Sequence, residues 1–342
     1  MIKLAVSITD VLETIRDNAS NEYIKLVPIA TGNNLQQIGD AITSDKNIMN
    51  EFINTIINKI AFSLVKSKMF NNPLSVLKSS GVPMGSTIEE LFVNPATDIG
   101  YQKDATYLLK NTTPDGKSAY YGQNRKSCYP ITINEAHLKR AFTSEQEFFS
   151  FYNNIVTALY SGDNIDEFML IKKMLGLSID SSCMKIIECD KTQPKELAKT
   201  IQKMSNLFQF ASTEWNGYNL VNKDKIAAGE TPCKTFTPKE NQVLILSSDI
   251  QVDMDYDVLA TMFHIPTEQL ERMTILVDEI PCETHDIYAI LLDKDSIQIR
   301  DTTFKISDQY IGSSLSWNIW LHHWQFIYLS MFGNAVAFGK VK

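Results

Sequence analysis

Cysteine is scarce in this chain, and the five that occur (Cys128, Cys183, Cys189, Cys233 and Cys282) are odd in number and scattered. There is no Cys-x-x-Cys and no Cys/His zinc spacing, so free thiols in a reducing cytosol are the plain reading. Glycine loops that cradle phosphate are missing too: neither G-x-x-x-x-G-K-[ST] nor G-x-G-x-x-G occurs, and there is no G-x-S-x-G elbow. Nothing in these patterns argues for an enzyme. Residues 1–10 hold one lysine, no long apolar run and no small-residue cleavage site, so no signal peptide is expected. The apolar stretch at 317–338 is long enough to span a bilayer. It would place Asn318, His322, His323 and Gln325 at membrane depth without flanking charge, and a membrane span is rejected.

What the chain does have is apolar mass. With 342 residues, 44% hydrophobic and 21% charged, it holds enough for one large or two modest cores. A net charge of −8 argues against broad affinity for nucleic acid, which needs concentrated Lys and Arg. The charge is uneven. Residues 101–130 carry Lys103, Lys110, Lys117, Arg125 and Lys126 against Asp104 and Asp115, a net +3 that leaves −11 on the remainder. A basic projection on an acidic body suits self-complementary association. A solvated loop kept soluble by its lysines accounts for the same composition.

Residues 317–338 hold three of the four tryptophans and no carboxylate or lysine. Large aromatics dominate the energetics of cores and interfaces, so this stretch needs burial. Its period is ambiguous. Trp317, Trp320, Leu321, Trp324, Ile327, Tyr328 and Met331 fit a helical stripe, while Trp324, Phe326 and Tyr328 alternate with their neighbours as in a strand. Aromatic and β-branched enrichment between Gly312 and Gly333 tips the reading to strand.

Elsewhere the periods are clearer. Ser44 or Asp45 opens a helix with Ile48, Phe52, Ile56, Ile60 and Leu64 on one row and Met49, Ile53, Ile57, Ala61 and Val65 beside them. Pro73, Gly81, Pro83 and Gly85 then break the chain. Residues 87–142 read as a long hairpin, with Thr113-Pro-Asp-Gly116 as its mid-way turn and the basic residues at its tip. An excursion of that length either disorders or docks on a partner. Ser144 with Glu147 forms a capping box ahead of Phe148, Tyr152, Ile155 and Leu159. Ser161-Gly-Asp-Asn164 interrupts that helix, and Asn164 with Glu167 caps a continuation through Phe168, Ile171 and Leu175. Pro194 suits a first helical position ahead of Leu197, Ile201, Met204 and Phe208. Residues 242–247, 273–277, 287–292 and 296–300 read as strands. The order of elements indicates an α+β fold.

Three constellations resemble chemistry. His322-His323 and Thr284-His-Asp286 offer metal-ligating atoms, but adjacent strand residues point to opposite faces and adjacent helical residues diverge by about 100°. Histidines satisfied within an aromatic core are the better account. Asp253-x-Asp-x-Asp257 resembles the start of an EF-hand loop, yet Val258 stands at the turn glycine and His264 at the bidentate glutamate. Capping of a helix through Val258, Leu259, Met262 and Phe263 explains those aspartates better. Cys183 and Cys189 have no histidine placed beside them and read as structural.

Several segments, in order, resemble one family. Glu51-Phe-Ile-Asn-Thr-Ile-Ile-Asn-Lys-Ile60, Phe70-Asn-Asn-Pro-Leu74 and Thr87-Ile-Glu-Glu-Leu-Phe-Val-Asn94 are similar to the amino-terminal third of major capsid proteins of small short-tailed bacteriophages of the Picovirinae type. Tyr160-Ser-Gly-Asp-Asn-Ile-Asp-Glu-Phe168 and Asp253-Met-Asp-Tyr-Asp-Val-Leu-Ala260 resemble their middle. Trp317-Asn-Ile-Trp-Leu-His-His-Trp324 and Phe332-Gly-Asn-Ala-Val336 resemble their carboxy terminus. The resemblance implies a Hong Kong 97-type capsid fold. Its parts would be an amino-terminal arm (1–80), an extended loop (81–142), a peripheral domain with a spine helix (143–182 and 291–342) and an axial domain (183–290). It also implies a structural, non-enzymatic role: pentamers and hexamers of this chain closing an icosahedral or prolate head around double-stranded DNA. A scaffolding protein and portal would take part, with weak non-specific DNA contact, no membrane and no cofactor. Lys103, Lys110, Lys117, Arg125 and Lys126 would contact a neighbouring subunit from the extended loop. No immunoglobulin-like domain is expected. An encapsulin-like compartment shares the fold, and a cytosolic metal-dependent enzyme using His285, Asp286, His322 and His323 is the alternative from another class.

Overall fold

Helices of the amino-terminal region follow from apolar residues three and four apart and from short polar caps. The computed structural model describes residues 8–31, 33–55, 70–81, 85, 87–98, 111, 113–251 and 274–342. Contacts divide the chain into two units. The first comprises Met1–Asn72, Arg125–Glu167 and Thr303–Trp324; the second comprises Pro73–Asn124, Phe168–Thr302 and Gln325–Lys342.

In the first unit, α1 (Ile8–Asp17), α2 (Asn21–Leu26), α3 (Leu35–Ser44) and α4 (Lys46–Thr55) come first. Asp45 caps α4, its carboxylate accepting from the Asn47 and Ile48 amides at 2.7 and 3.3 Å. The predicted stripe is present along α4, where Ile48, Met49, Phe52 and Ile53 are buried. Its remaining members from Ile56 to Val65 lie outside the described residues, as does the predicted helix at 253–263. Residues of α1 to α4 pack into one core with Phe142, Phe148, Trp317, Ile319 and Leu321.

A three-stranded sheet completes that core, in the order β3 (Arg125–Asn134), β9 (Ser316–Leu329), β8 (Ile297–Ile311). The tryptophan-rich stretch is thus a strand, as expected. Trp317 is buried and its indole nitrogen donates to Asn50 Oδ1. α5 (Glu135–Ala141) and α6 (Glu145–Val156) follow β3. The capping box is half made. The Glu147 amide donates to Ser144 Oγ at 3.2 Å, while the Glu147 carboxylate turns to Arg140.

Two expectations need correction here. The 87–142 region is not one hairpin: β3 leaves it to pair with β9, because Tyr129, Ile131 and Ile133 alternate toward the core. Helix α5 replaces its last part, favoured by Glu135 in the first turn and Lys139 and Arg140 in the last. Nor does Ser161-Gly-Asp-Asn164 interrupt the helix. A π-helical turn at Thr157–Ser161 absorbs an extra residue and α7 (Gly162–Asp180) continues directly. Asn164 donates to the Phe70 carbonyl at 3.0 Å and Glu167 is buried, so neither caps it.

The second unit is built on a five-stranded sheet, β4 (Lys185–Glu188), β10 (Ala335–Val341), β7 (His285–Asp293), β5 (Gln242–Ser247), β6 (Thr274–Val277). The outer pairs β4/β10 and β5/β6 are parallel and the inner pairs antiparallel. The continuous apolar run of β5 reflects burial on both faces. Val243 and Ile245 meet Ile171, Leu175 and Ile179 of α7 on one side. Leu244 and Leu246 meet Leu197, Ile201, Met204 and Phe208 of α8 (Pro194–Phe208) on the other, with Pro194 at the start of α8 as predicted.

At the end of α7, Asp180 accepts from the Glu283 amide (3.0 Å), Cys282 Sγ (3.1 Å), and the Thr284 hydroxyl (2.8 Å) and amide (3.2 Å). These bonds hold its carboxyl down to about 2, from an ordinary 3.8. A carboxyl depressed on folding stabilises the folded state above its ordinary value, and that contribution is lost as pH falls through about 2. Asp180→Ala is therefore expected to lower the urea midpoint near neutrality, with the gap to the parent closing as pH drops from about 4 to about 2. A gap that stays constant over that range would remove this role from Asp180.

Candidate functional site

The hairpin that opens the second unit is β1 (Thr87–Val93) paired with β2 (Gly116–Gly122), from Thr87↔Gly122 to Val93↔Gly116. Alternation gives it two unlike faces. One face packs inside its own unit. Phe92 stacks on Phe332 (ring centroids 5.3 Å apart) and Tyr121 on Tyr328 (3.9 Å). The Ser330 hydroxyl donates to Glu90 at 2.7 Å, and the Met331 amide to the Tyr121 hydroxyl at 3.0 Å. The other face exposes Leu91 (68%), Val93 (50%) and Tyr120 (65%), with the Tyr120 hydroxyl donating to Glu89. These three side chains give the ribbon an exposed apolar face.

The Thr113-Pro-Asp-Gly116 segment is not the tip. It lies where β2 begins, and the Asn94 amide closes the ladder onto the Asp115 carbonyl at 3.0 Å. Side chains then tie this end to residues 230–234. Lys117 Nζ lies 2.9 Å from Glu230 and 3.3 Å from Asp115, with its side chain only 12% exposed. The Tyr218 hydroxyl donates to the same Glu230 oxygen at 2.8 Å, and the Tyr218 ring stacks on Phe332. Asn94 Nδ2 donates to Asp115 (2.8 Å) and to the Pro232 carbonyl (3.2 Å), while Asn94 Oδ1 accepts from the Lys234 amide (3.0 Å). The hydrogen bond to Glu230, with Asp115 alongside, raises the Lys117 ammonium above its ordinary range. The Asn94 amide and then Lys117 hold the Asp115 carboxyl down; Lys117 and then Tyr218 do the same for Glu230. Cys233 is buried beneath them, its thiol pushed up to about 11 by desolvation.

The five predicted contact residues thus separate. Lys103 and Lys110 lie outside the described residues. Lys117 is engaged within its own unit. Lys126 is exposed on β3, its ammonium 5.5 Å from the Trp324 ring centre, a cation–π arrangement. Arg125 is no loop-tip residue. It opens β3, is 3% exposed, and sits inside a polar cluster of the first unit. Its Nη2 donates to Asp163 Oδ1 at 2.6 Å and Tyr129 Oη at 2.9 Å, and its Nη1 lies 3.5 Å from Glu167. A buried guanidinium needs this kind of pairing, which is why it left the surface.

The histidines considered as ligands are placed by packing. His322 and His323 go to opposite sides of β9, as alternation required. His322 Nε2 is 2.8 Å from Ser307 Oγ, whereas His323 is buried with Nδ1 at 2.7 and 2.8 Å from the two Asp163 oxygens. His285 Nδ1 lies 2.7 Å from its neighbour Thr284, and Asp286 is exposed on β7. No described helix is long and apolar enough to cross a membrane.

The fold is shared with chains of phage particles. A chain from the capsid of Staphylococcus phage Andhra aligns with a TM-score of 0.65, covering 82% of this chain and 87% of that one at 12% identity. A chain from the structure of the head fiber and inner core protein gp22 of bacteriophage P68 gives 0.60, with 81% and 86% covered at 15% identity. Identity that low speaks for the fold alone. In sequence, residues 12–339 match the family model of the Phi29-like phage major capsid protein, and the chain belongs to that family. The major capsid protein of Bacillus phage B103 is 27% identical over 98% of this chain and 74% of its own length. That of Streptococcus phage Cp-1 is 25% identical over 96% and 93%. The resemblance read from the sequence segments is thereby borne out.

Proposed function

We propose that this chain is the major subunit of a phage head, a virion component whose work is structural, and that copies of it associate into a closed shell. Membership of the Phi29-like major capsid family over residues 12–339 carries the reading. It favours a head shell over an encapsulin-like compartment and over an enzyme. Within a Hong Kong 97-type scheme, residues 1–80 are read as the amino-terminal arm, 81–142 as the extended loop, 143–182 and 291–342 as the peripheral domain and 183–290 as the axial domain. The helix at residues 145–180 is the spine, and pentamers and hexamers are the building blocks. Lys103, Lys110 and Lys126 are proposed as contacts to a neighbouring copy, together with Leu91, Val93 and Tyr120. Lys117 and Arg125 serve their own units instead. A shell subunit makes many modest contacts and gains stability by multiplicity. A scaffolding protein and a portal are proposed partners during assembly. An acidic chain of net charge −8 suits weak, non-specific contact with packaged DNA, since a basic lining would hold the duplex tightly.

The test is expression of the chain alone and with its scaffolding partner, followed by light scattering and electron microscopy of the leading fraction. Closed shells, or sheets and tubes of five- and six-fold rings, are expected. A stable monomer under both conditions would count against the reading.

A further inference from the structure

The hairpin is fastened to its own unit at a point that gives one basic residue an unexpected task. Lys117 stands near the start of β2, beside the Asn94–Asp115 bond that closes the ladder, and both of its carboxylate partners lie within its own unit. Glu230 joins this ion cluster to the aromatic one through Tyr218, whose hydroxyl it binds and whose ring stacks on Phe332, which in turn stacks on Phe92 of β1. Asn94 closes the arrangement from the other strand, reaching Asp115, the Pro232 carbonyl and the Lys234 amide. Both strands are therefore fixed to residues 230–234 by side chains, while Leu91, Val93 and Tyr120 remain exposed on the opposite face.

We propose that Lys117, acting through Glu230 and Asp115, is the positioning residue of the hairpin: it clamps β1 and β2 to the second unit so that the Leu91–Val93–Tyr120 face is held at one angle. The consequence for assembly rests on the shell-subunit reading given above; the clamp itself does not. A ribbon that rocked on its base would offer its apolar face at many angles, and each neighbour contact would then carry the cost of fixing it. With the clamp closed, that orientation is set before two copies meet.

Among the described residues, the charged and titratable groups around Lys117 are Asp115 on the hairpin side, and Glu230, Lys225, Tyr218 and Cys233 on the side of the body. Asp115 and Glu230 are both held below their ordinary values, so the clamp is closed above those values and opens as pH falls through the depressed ones.

The experiment is hydrogen exchange on the unassembled full chain, comparing the parent with Lys117→Met, Glu230→Gln and Lys117→Arg, followed by electron microscopy of particles assembled from each. Lys117→Met and Glu230→Gln are expected to speed exchange of the 87–93 and 116–122 amides about ten-fold or more. The β5 and β7 amides should keep their protection, and particles should vary in diameter. Lys117→Arg keeps the charge and is expected to restore both properties. Acid should reproduce the loss of hairpin protection in the parent but add little in Lys117→Met. Equal hairpin protection in Lys117→Met and parent overturns the proposal whatever the particles look like. So does a loss spread over β5 and β7, which would be general destabilisation. Selective loss in a protein whose parent forms no shells would uphold the clamp and count against the capsid reading.

Discussion

Arg125→Met is expected to cost the first unit about 3–5 kcal/mol, the scale for breaking a buried ion pair by removing one partner. Asp163 and Glu167 are 3% and 1% exposed, and without the guanidinium two carboxylates would be left buried beside one another. Asn72 also donates to Glu167 at 2.9 Å and His323 also meets Asp163, but neither brings the fixed, forked charge of a guanidinium. Trp317, Trp320 and Trp324 all lie in the first unit, so a urea titration followed by tryptophan fluorescence reports this change directly. Adding Asp163→Asn and Glu167→Gln to the variant should recover a large part of the loss, because the cost is chiefly the stranded charge. A midpoint within about 0.5 kcal/mol of the parent would mean that the cluster is solvated and not buried.

Gly176→Ala should be comparably damaging in the second unit. A Cβ at this position of α7 would stand 1.5 Å from the Pro281 carbonyl oxygen and 2.7 Å from its carbon, both backbone atoms. No side-chain rotation relieves such an approach, so residues 280–284 must back away from the helix. Overpacking of this kind costs about 3 kcal/mol, the upper end of the usual range. Retreat of that segment also withdraws the donors that hold Asp180. The two substitutions should therefore be non-additive: Asp180→Ala on the Gly176→Ala background should cost markedly less than on the parent. Simple additivity in urea titrations followed by circular dichroism would show that the segment had not moved.

Elements with strong local signals were legible in the sequence. Pro194 and the spacing of Leu197, Ile201, Met204 and Phe208 specify α8, and the apolar run of β5 could lie only in a strand covered on both faces. The tryptophan-rich strand was correctly read from its composition and flanking glycines although its period was ambiguous. Where the reading failed, long-range pairing had decided. Residues 125–134 carry the same extended pattern whether they pair with β2 or with β9, and no local feature distinguishes a distant partner from a near one. The Ser161-Gly-Asp-Asn164 run has breaker composition, yet burial of Leu159, Tyr160, Asp163 and Glu167 holds the helix through it with a π-turn. The clamp residues Asn94, Lys117, Tyr218 and Glu230 had no signature either, because the contacts of Asn94 and Lys117 with residues 230–234 join segments more than a hundred residues apart. Lys117 was found only as one of several basic residues, and its charge was read as pointing outward.

The position of β10 bears on when this protein can fold at all. Residues 335–341 are made after the other four strands of the five-stranded sheet, yet they occupy an interior place in it, with β4 on one side and β7 on the other. Until they emerge from the ribosome, the strand at 185–188 has no partner in the sheet, and β7 has only β5. A chain broken off before Ala335 would leave a slot where Val336 and Phe338 should fill the core. Closure of this sheet therefore waits on residues 335–341, which must fit between two strands already made.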